Sequence, residues 1–479
     1  MVFLPELTVM AAGLAFFGLS LAGSKPEVVR NTAYVFYAII VFACLGSLHS
    51  LRALHGPVDL FHGAFRVDIF SQLCKLAIAL AALVVVVICG GHKGIKEKFF
   101  PEYQLFQAIS VLGLMILVSS VDLLAIFVAL ELSSFAVYVM VPIRHDQDGK
   151  MVIQMEAGIK YLLFGVVATG FMLFGMSYIY GLTGSTQLAV IVERLPDLLH
   201  EPALVIAALM VMAAFFYKLA FFPFHFWVPD VYEGASNETT AFIAAAPKIA
   251  AVALLVRLAI LFDIRGESIA VILSACAILS MFYGNLSALV QKDIKRMLAF
   301  SGIAHAGFVM LGVLSFQTLG YATAAYYIFG YMLMILACFM VICCIAKDGN
   351  NVAISDFTGL YQRSPLLALT LLVALFSLAG IPPFIGFTGK FMLLVGAFSK
   401  GHYVLVTLAA INTAIGIYYY LSVVRLTFCT PAEGEEPPVI TTPNRFMKTI
   451  SVVLLLAIVY FGVLPNHFLN LMQRALGGM

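Results

Sequence analysis

The stretch AGIPPFIGFTGK at residues 379–390 interrupts a long apolar run with two adjacent prolines, three glycines and a lysine. Proline has no backbone N–H and clashes with the preceding helical turn, so an apolar helix must break there. A second stretch, FFYKLAFFPFHFW at residues 215–227, places a lysine, a proline and a histidine in another apolar run. Bare backbone at membrane depth is tolerated only where protein or water satisfies it. The two stretches therefore predict two broken membrane helices.

The sequence around these breaks is typical of a multi-pass membrane protein. Hydrophobic residues make up 62% of the 479 residues and charged residues only 11%, too few to cover a soluble domain of this length. We find about fourteen apolar runs long enough to cross the hydrocarbon core, centred near positions 14, 43, 80, 112, 131, 168, 215, 250, 278, 305, 332, 380, 415 and 458. The first run has no basic leader and no cleavage site, so we expect it to be retained as a span.

The two predicted breaks fall in the seventh and the twelfth of these spans. Paired broken helices in corresponding positions indicate an internal repeat with an ion site at the breaks. Because the breaks lie five spans apart, the repeat should contain five helices. We therefore predict an all-α integral membrane fold in a single polytopic domain, residues 1–479, with one broken helix in each repeat.

Lysine and arginine are distributed unevenly between the two sets of loops. More than twice as many lie in loops after odd-numbered spans as lie in loops after even-numbered spans and at the C-terminus. Because cytoplasmic loops carry the excess of positive charge, we expect the odd loops in the cytoplasm and both termini on the periplasmic face. Residues 431–438 predict a solvated acidic linker.

The composition also excludes several kinds of site. The eight cysteines lie in or at the ends of apolar runs, without a CxxC pair and without His/Cys metal spacing, so we predict no metal, haem or iron–sulfur site in this chain. A glycine-rich phosphate loop is missing from the sequence, which argues against a nucleotide site. The net charge of +2 gives no indication of nucleic-acid binding.

Ionisable residues inside the spans are the candidates for function. A lysine at the centre of a span costs about 2.5–3.5 kcal/mol on insertion, so such residues mark ion pathways by default. The strongest candidates are Glu131, Lys218, Lys248 and Lys390. The structural alternatives are a hydrogen-bonded carboxyl for the glutamate, a fixed ion pair for the two central lysines, and snorkelling to the interface for Lys390.

Further ionisable residues are weaker candidates. Lys160 lies a turn or two inside the sixth span, which favours a relay residue, and four residues after Glu156, which also suits a helical ion pair at the surface. His305 could transfer protons near neutral pH or be a hydrogen-bonded core histidine, and the same two readings apply to His225. Structural pairing or snorkelling is the preferred interpretation for three more basic residues in the spans: Lys75, Arg257 and Arg425.

Several motifs resemble one known family over essentially the whole chain. They are EAGIKY at 156–161, YGLTGS at 180–185, PFHFWVPDVYEGA at 223–235, APK at 246–248, QKDIKRMLA at 291–299 and LAGIPP at 378–383. Together they resemble the antiporter-like membrane subunits of the proton-pumping NADH–quinone oxidoreductase, respiratory complex I, and DVYEG at 230–234 resembles the form in the N-type subunits. The stretch SNETT at 236–240 departs from the family, where a Pro-Thr-Pro-like stretch is expected.

The resemblance implies a particular organisation of the fold. It implies fourteen helices with two inverted five-helix repeats, formed by spans 4–8 and 9–13. Residues 1–100 would form an N-terminal three-helix extension, residues 101–262 the first repeat, residues 266–428 the second repeat, and residues 446–472 a C-terminal helix.

The resemblance also implies a function. Glu131 and Lys218 would form the family's glutamate–lysine pair, Lys248 would be the central relay lysine, and Lys390 would face the outlet. This chain would hold no cofactor, since NAD, FMN, the iron–sulfur clusters and the quinone belong to partner subunits. Expected partners are an M-type antiporter-like subunit, small K-type and J-type subunits, the peripheral redox arm indirectly, and the lipids of a bacterial inner membrane.

Two other functions stay open on the sequence. The same lysines would serve a cation/proton antiporter, or an ion-pumping complex linked to hydrogenase or another electron donor. A structural membrane scaffold, in which the buried charges have no role, is the third interpretation. It predicts that neutralising each buried lysine improves stability and leaves activity unchanged.

Overall fold

The architecture comes from a computed structural model of the chain. Residues 2–54, 56–90, 94–144, 151–194, 202–259, 266–430 and 444–477 are described. Part of the orientation argument lies outside these ranges, namely Lys93, Lys150 and Arg265. The predicted acidic linker at 431–438 lies outside them too.

The N-terminal part consists of three long helices and a small hairpin. Its elements are α1 (Leu4–Leu21), α2 (Pro26–Ala53), the antiparallel strands β1 (Val58–Leu60) and β2 (Phe65–Val67), and α3 (Ile69–Cys89). Helices α1 and α2 begin with a proline, whose missing N–H has no intrahelical partner to lose at that position. Helix α3 begins with a capping box, in which the Asp68 carboxylate accepts from the Ser71 N–H at 2.6 Å.

The next seven helices correspond to the predicted first repeat. They are α4 (Phe100–Ser119), which follows a 3-10 turn at Glu97–Phe99, α5 (Leu123–Met140), α6 (Met151–Thr183), α7 (Leu188–Arg194), α8 (Pro202–Leu219), α9 (Val228–Gly234) and α10 (Asn237–Leu258). The predicted break is confirmed: α8 ends at Leu219, and the chain becomes helical again only at Val228.

The remaining helices correspond to the predicted second repeat and the C-terminal part. They are α11 (Gly266–Ala288), α12 (Ile294–Val313), α13 (Thr318–Ile345), 3-10 turns at Lys347–Gly349 and Ile354–Phe357, α14 (Leu360–Arg363), α15 (Pro365–Ala379), α16 (Ile385–Ser399), α17 (Tyr403–Phe428), α18 (Arg445–Val463) and α19 (Pro465–Gly477). The second predicted break is also confirmed, since α15 ends at Ala379, is capped by Gly380 with a φ of +87°, and the chain becomes helical again only at Ile385.

Within the described ranges, twelve helices are long and apolar enough to cross a membrane. Three shorter apolar helices, at Ala203–Leu219, Pro365–Ala379 and Ile385–Ser399, belong to the two broken regions. A total of fourteen spans requires each broken region to count as one, and this number and the inverted repeats stay predictions. The all-α class is confirmed, although the hairpin of β1 and β2 was not predicted.

Burial divides the helices into a centre and a periphery. The apolar segments of α10, α12 and α13 are 94% buried within this chain, whereas those of α1, α2, α6, α17 and α18 are only 28–33% buried. The outer helices therefore turn most of their apolar surface toward lipid or other subunits. The three central helices carry Lys248, His305 and a set of buried tyrosines, so the candidate site lies where the chain is most completely enclosed.

Candidate functional site

Lys218 lies at the C-terminal end of the first broken helix. It is the penultimate residue of α8, where the free carbonyls and the helix dipole favour a positive charge. Its side chain is buried, and Nζ donates to Ser133 Oγ of α5 at 2.8 Å. The first candidate lysine is therefore held by a neutral hydroxyl.

Glu131 lies on the same helix as Ser133, two residues away. It is half-buried, and its Oε1 accepts a hydrogen bond from Thr169 Oγ1 of α6 at 2.7 Å. No ion pair joins Glu131 to Lys218, both of which are described residues. Each side chain is hydrogen-bonded to a neighbouring hydroxyl, and the Glu131 carboxylate acts on Lys218 electrostatically rather than by direct contact. The glutamate–lysine pair therefore stays a prediction.

Lys248 lies in the middle of α10 and is 2% exposed. Its Nζ lies 3.5 Å from the Gly302 carbonyl oxygen and 3.5 Å from the Tyr331 hydroxyl, and 4.8 Å from the centre of the Tyr331 ring. A Cβ at position 302 would come within 2.9 Å of Nζ, so a glycine is required for this approach. The second lysine thus has long contacts to neutral groups.

His305 lies on α12, one turn after Gly302. Its Nδ1 is 2.6 Å from the Tyr327 hydroxyl and its Nε2 is 3.1 Å from the Tyr420 hydroxyl, so both ring nitrogens are hydrogen-bonded. Lys248, His305 and Leu219, the residue after Lys218, line one internal pocket. The histidine also interacts electrostatically with both Lys248 and Lys390. His305 therefore lies near both Lys248 of α10 and Lys390 of the second broken region.

Lys390 lies on α16 and bonds across the second break. Its Nζ donates to the carbonyl oxygens of Leu378 at 2.7 Å and Ala379 at 3.2 Å, which end α15. These carbonyls have no partner within the helix, and the helix dipole favours a cation beside them. The interface alternative for Lys390 does not fit this position, since the residue is 5% exposed and its ammonium lies 5.1 Å from the Phe308 ring centre.

Lys160 stands apart from these residues. Its side chain is 37% exposed and pairs with Glu156 and with Asp230, each at 2.6 Å. Asp230 and Glu233 in turn contact Arg296 at 3.2 and 2.5 Å. The structure thus places Lys160 in a half-exposed ion cluster, and its role as a relay residue stays a prediction.

Structural pairing of Lys75 and Arg257 is confirmed, but the sequence reasoning did not identify their acidic partners. Lys75 pairs with Glu6 at 2.6 Å, with both side chains completely buried, and Arg257 pairs with Asp68 at 2.6 Å. The acidic partners carry no local signal, because each lies far from its basic partner in the chain or at the start of a helix. Arg425 is exposed, and His225 is buried among aromatic rings.

The lysines of the two broken helices and the central helix form one row. Its order is Glu131, Lys218, Lys248, His305 and Lys390. In the part of the chain that the structure describes, no group of three or more His, Cys, Asp or Glu side chains is placed to hold a metal ion. The side chains along the row and in contact with it are carboxyl, amine, imidazole and hydroxyl groups.

Comparisons with known proteins agree with this geometry. Residues 120–416, which include the whole row, match the family described as NADH:quinone oxidoreductase/Mrp antiporter. The chain is 48% identical to NADH-quinone oxidoreductase subunit N 2 of Opitutus terrae, over 99% of this chain and 97% of that protein.

Solved structures share the fold. A chain of respiratory complex I from Thermus thermophilus superposes with a TM-score of 0.82 at 29% identity, covering 97% of this chain and 98% of that chain. A chain of the Mrp complex from Dietzia superposes with a TM-score of 0.85 over 99% of this chain and 97% of that chain. Its identity is only 20%, so this second likeness concerns the fold alone.

Proposed function

The chain belongs to the family of antiporter-like membrane subunits of NADH–quinone oxidoreductase, and we propose that protons cross it along the row from Lys218 through Lys248 to Lys390. It is a proton-pumping membrane subunit of that enzyme complex, a multi-pass protein of a bacterial respiratory membrane, and its partners are other subunits of the complex. The antiporter alternative is supported by the family description, which also names the Mrp antiporter, and by a likeness of fold at 20% identity.

The observation that carries the proposal is the environment of Lys248. The residue is buried in the centre of the molecule, and its ammonium contacts a carbonyl and a phenol but no carboxylate among the described residues. A hydroxyl can donate to a neutral amine as well as accept from an ammonium, so this environment accommodates both protonation states. A lysine in such a place can accept a proton from one side and release it to the other.

The contact between Glu131 and Lys218 would control whether Lys218 holds or releases its proton. Lys218 is bonded to Ser133, and Glu131 to Thr169. A rotation that exchanged these hydroxyl contacts for a direct contact would place a carboxylate beside the ammonium and hold its proton. At 4 Å, such an interaction is worth about 4 kcal/mol at an effective dielectric constant of 20. Moving one charge against 100 mV requires about 2.3 kcal/mol, so the switch is large enough.

The redox chemistry is assigned to partner subunits. We propose that these bind NAD, FMN, the iron–sulfur clusters and the quinone, and that quinone reduction there changes the charge next to Glu131. M-type, K-type and J-type subunits are the proposed membrane neighbours. The excess of Lys and Arg in the odd-numbered loops supports a periplasmic position for both termini.

The test is Lys248→Met in the assembled complex. The variant should oxidise NADH with far fewer protons pumped per electron, because methionine fills the space without carrying a proton. Lys400→Met is the matched control, since Lys400 is exposed at the end of α16. Unchanged pumping by the Lys248 variant, with assembly verified on native gels, would sink the proposal and favour the scaffold interpretation.

A further inference from the structure

Glu238 is a buried carboxyl that the row does not use. It belongs to SNETT at 236–240, the stretch that departs from the family, and it is the second residue of α10. The side chain is 1% exposed, and its Oε2 has no hydrogen-bond partner among the described residues. A buried carboxyl oxygen without a partner is costly unless it titrates or binds water.

The chain leaves space for this carboxyl at the loop between α3 and α4. A Cβ at Gly94 would lie 2.1 Å from Glu238 Oε2, so a side chain at position 94 would displace the carboxyl from this position. Thr239, the next residue along the chain, donates its hydroxyl to the Tyr103 hydroxyl at 3.3 Å, and Glu238 acts electrostatically on that tyrosine. Ionisable groups that act electrostatically with Glu238 come from every side: Cys89, Tyr103, Arg144, Lys295 and Cys343.

The two cations of this set have other partners. Arg144 donates to the carbonyl oxygens of Glu233, Gly234 and Gly349, at 3.1, 3.2 and 3.0 Å. Lys295 donates to the carbonyl oxygens of Glu233 and Ala235, at 3.2 and 2.8 Å. Arg144 and Lys295 therefore attract the Glu238 carboxylate electrostatically without forming an ion pair with it.

Helix α10 connects Glu238 to Lys248. The two residues are ten positions apart, about 15 Å along the helix axis. Between them the helix presents small side chains at Ala241 and Ala245. Pro247 has no N–H to offer the carbonyl of Ile243, which leaves a free acceptor for water about halfway.

The neighbouring elements extend this connection at the Lys248 end. The Tyr331 hydroxyl is 3.5 Å from Lys248 Nζ. Tyr232, which interacts electrostatically with Tyr331, is fully buried, and its hydroxyl has no hydrogen-bond partner in the described part of the chain. Unpartnered buried hydroxyls and carbonyls of this kind are sites for internal water, which can relay protons.

We propose that Glu238 is the carboxyl through which protons enter the row. Its carboxylate takes a proton from water at the face where α10 begins. The proton then passes by water at the Ile243 carbonyl to the neutral amine of Lys248, and the carboxylate is restored. The loop before α10 follows the seventh span, so this face is the one predicted to be cytoplasmic. The assignment rests on the proposed function, because it requires Lys248 to be the acceptor.

The test is Glu238→Gln in the intact complex. We expect pumping to fall about tenfold or more, the scale of losing a positioned proton donor, while Glu238→Asp retains most of the rate. Lower pH on the entry side should restore part of the Gln variant's rate, which a purely structural role for Glu238 would not produce. Glu27→Gln is the control, since Glu27 is an exposed glutamate in the first turn of α2.

Two further variants keep the test decisive. If Glu238→Gln pumps normally while Lys248→Met does not, the entry assignment is wrong and the row stands. If both pump normally, the row itself is wrong. If Glu238→Gln fails to assemble, Pro247→Ala decides, because alanine suits a helix and supplies the N–H that the Ile243 carbonyl lacks. Slower pumping by that variant supports the proposal, and an unchanged rate overturns it.

Discussion

The N-terminal helices and the two repeats each bury lysine, but they give it different partners. Lys75 of α3 contacts the Glu6 carboxylate at 2.6 Å, and neither side chain is exposed. Lys248 and Lys390 contact only carbonyl and aromatic groups among the described residues. A carboxylate stabilises the ammonium form, whereas neutral acceptors accommodate the amine as well. The same residue type thus has a counter-charge in one region and only neutral partners, among the described residues, in the other.

The comparison also separates stability from function. A buried ion pair is costly to break by removing one partner, but replacing both partners with apolar groups is often neutral. A lysine without a counter-charge has no such pair to break, so an ion pair does not account for its place in the centre of the molecule. The difference between the two regions can be tested by removing the carboxylate beside Lys75 and by adding one beside Lys248.

The largest effect is expected from breaking the N-terminal pair. Glu6→Gln would leave Lys75 buried without a counter-charge, at a cost of about 3–5 kcal/mol, and should lower the thermal stability of the complex and the amount of subunit in membranes. The double variant Glu6→Gln/Lys75→Met should assemble and pump normally. Equal stability of the single and double variants would contradict the assignment of Lys75 as a fixed charge.

A smaller effect is expected from giving Lys248 a carboxylate partner like that of Lys75. Tyr331→Glu would place a carboxylate beside Lys248, and an ion pair at this distance should hold the proton strongly enough to slow pumping by about tenfold or more. Tyr331→Gln is the control, since it has the same shape without the charge. Proton uptake into vesicles containing each complex measures the difference, and equal rates for the two variants would refute the distinction.

The smallest effect is expected from an exposed pair in the hairpin. Arg66 donates to both carboxylate oxygens of Asp59, at 2.8 and 3.1 Å, and this hydrogen bonding lowers the pKa of Asp59. The pair therefore stabilises the hairpin above the unfolded pKa of about 3.9 and loses its effect as the pH falls through the lowered value. Because both side chains are solvated, its worth is only about 0.2–1 kcal/mol.

Hydrogen exchange of residues 58–67 tests this pair. Asp59→Asn should exchange slightly faster than the wild type at pH 7, and the two should converge at a pH below the lowered pKa of Asp59. A difference that persists at low pH would mean that the carboxylate does not act through its charge.

The sequence predicted those parts of the fold that depend on local chemistry. The prolines at 223, 382 and 383 and the apolar runs around them are enough to place the two breaks, because a missing N–H disrupts any helix. Lys218, Lys248 and Lys390 stand out for the same reason, since an isolated charge in an apolar run is conspicuous by itself.

Contacts between distant parts of the chain could not be predicted in the same way. Nothing near Lys75 indicates that Glu6 is its partner, and nothing near Glu131 indicates that Thr169 holds its carboxyl in place of Lys218. Lys160 was favoured as a relay residue by its position inside a span, but its exposure depends on α9 and the ion cluster there. These properties follow from how the helices pack, which one sequence does not specify residue by residue.

The pairing of Asp68 with Arg257 has an evolutionary consequence. Asp68 caps α3 at the edge of the N-terminal part, and Arg257 lies in the last turn of α10, with the two side chains only 4% and 5% exposed. A lineage that lost the first three helices would inherit an arginine without its counter-charge, at a cost of several kcal/mol. Positions 68 and 257 should therefore vary together among descendants, and shortened relatives should carry a neutral residue at the second position.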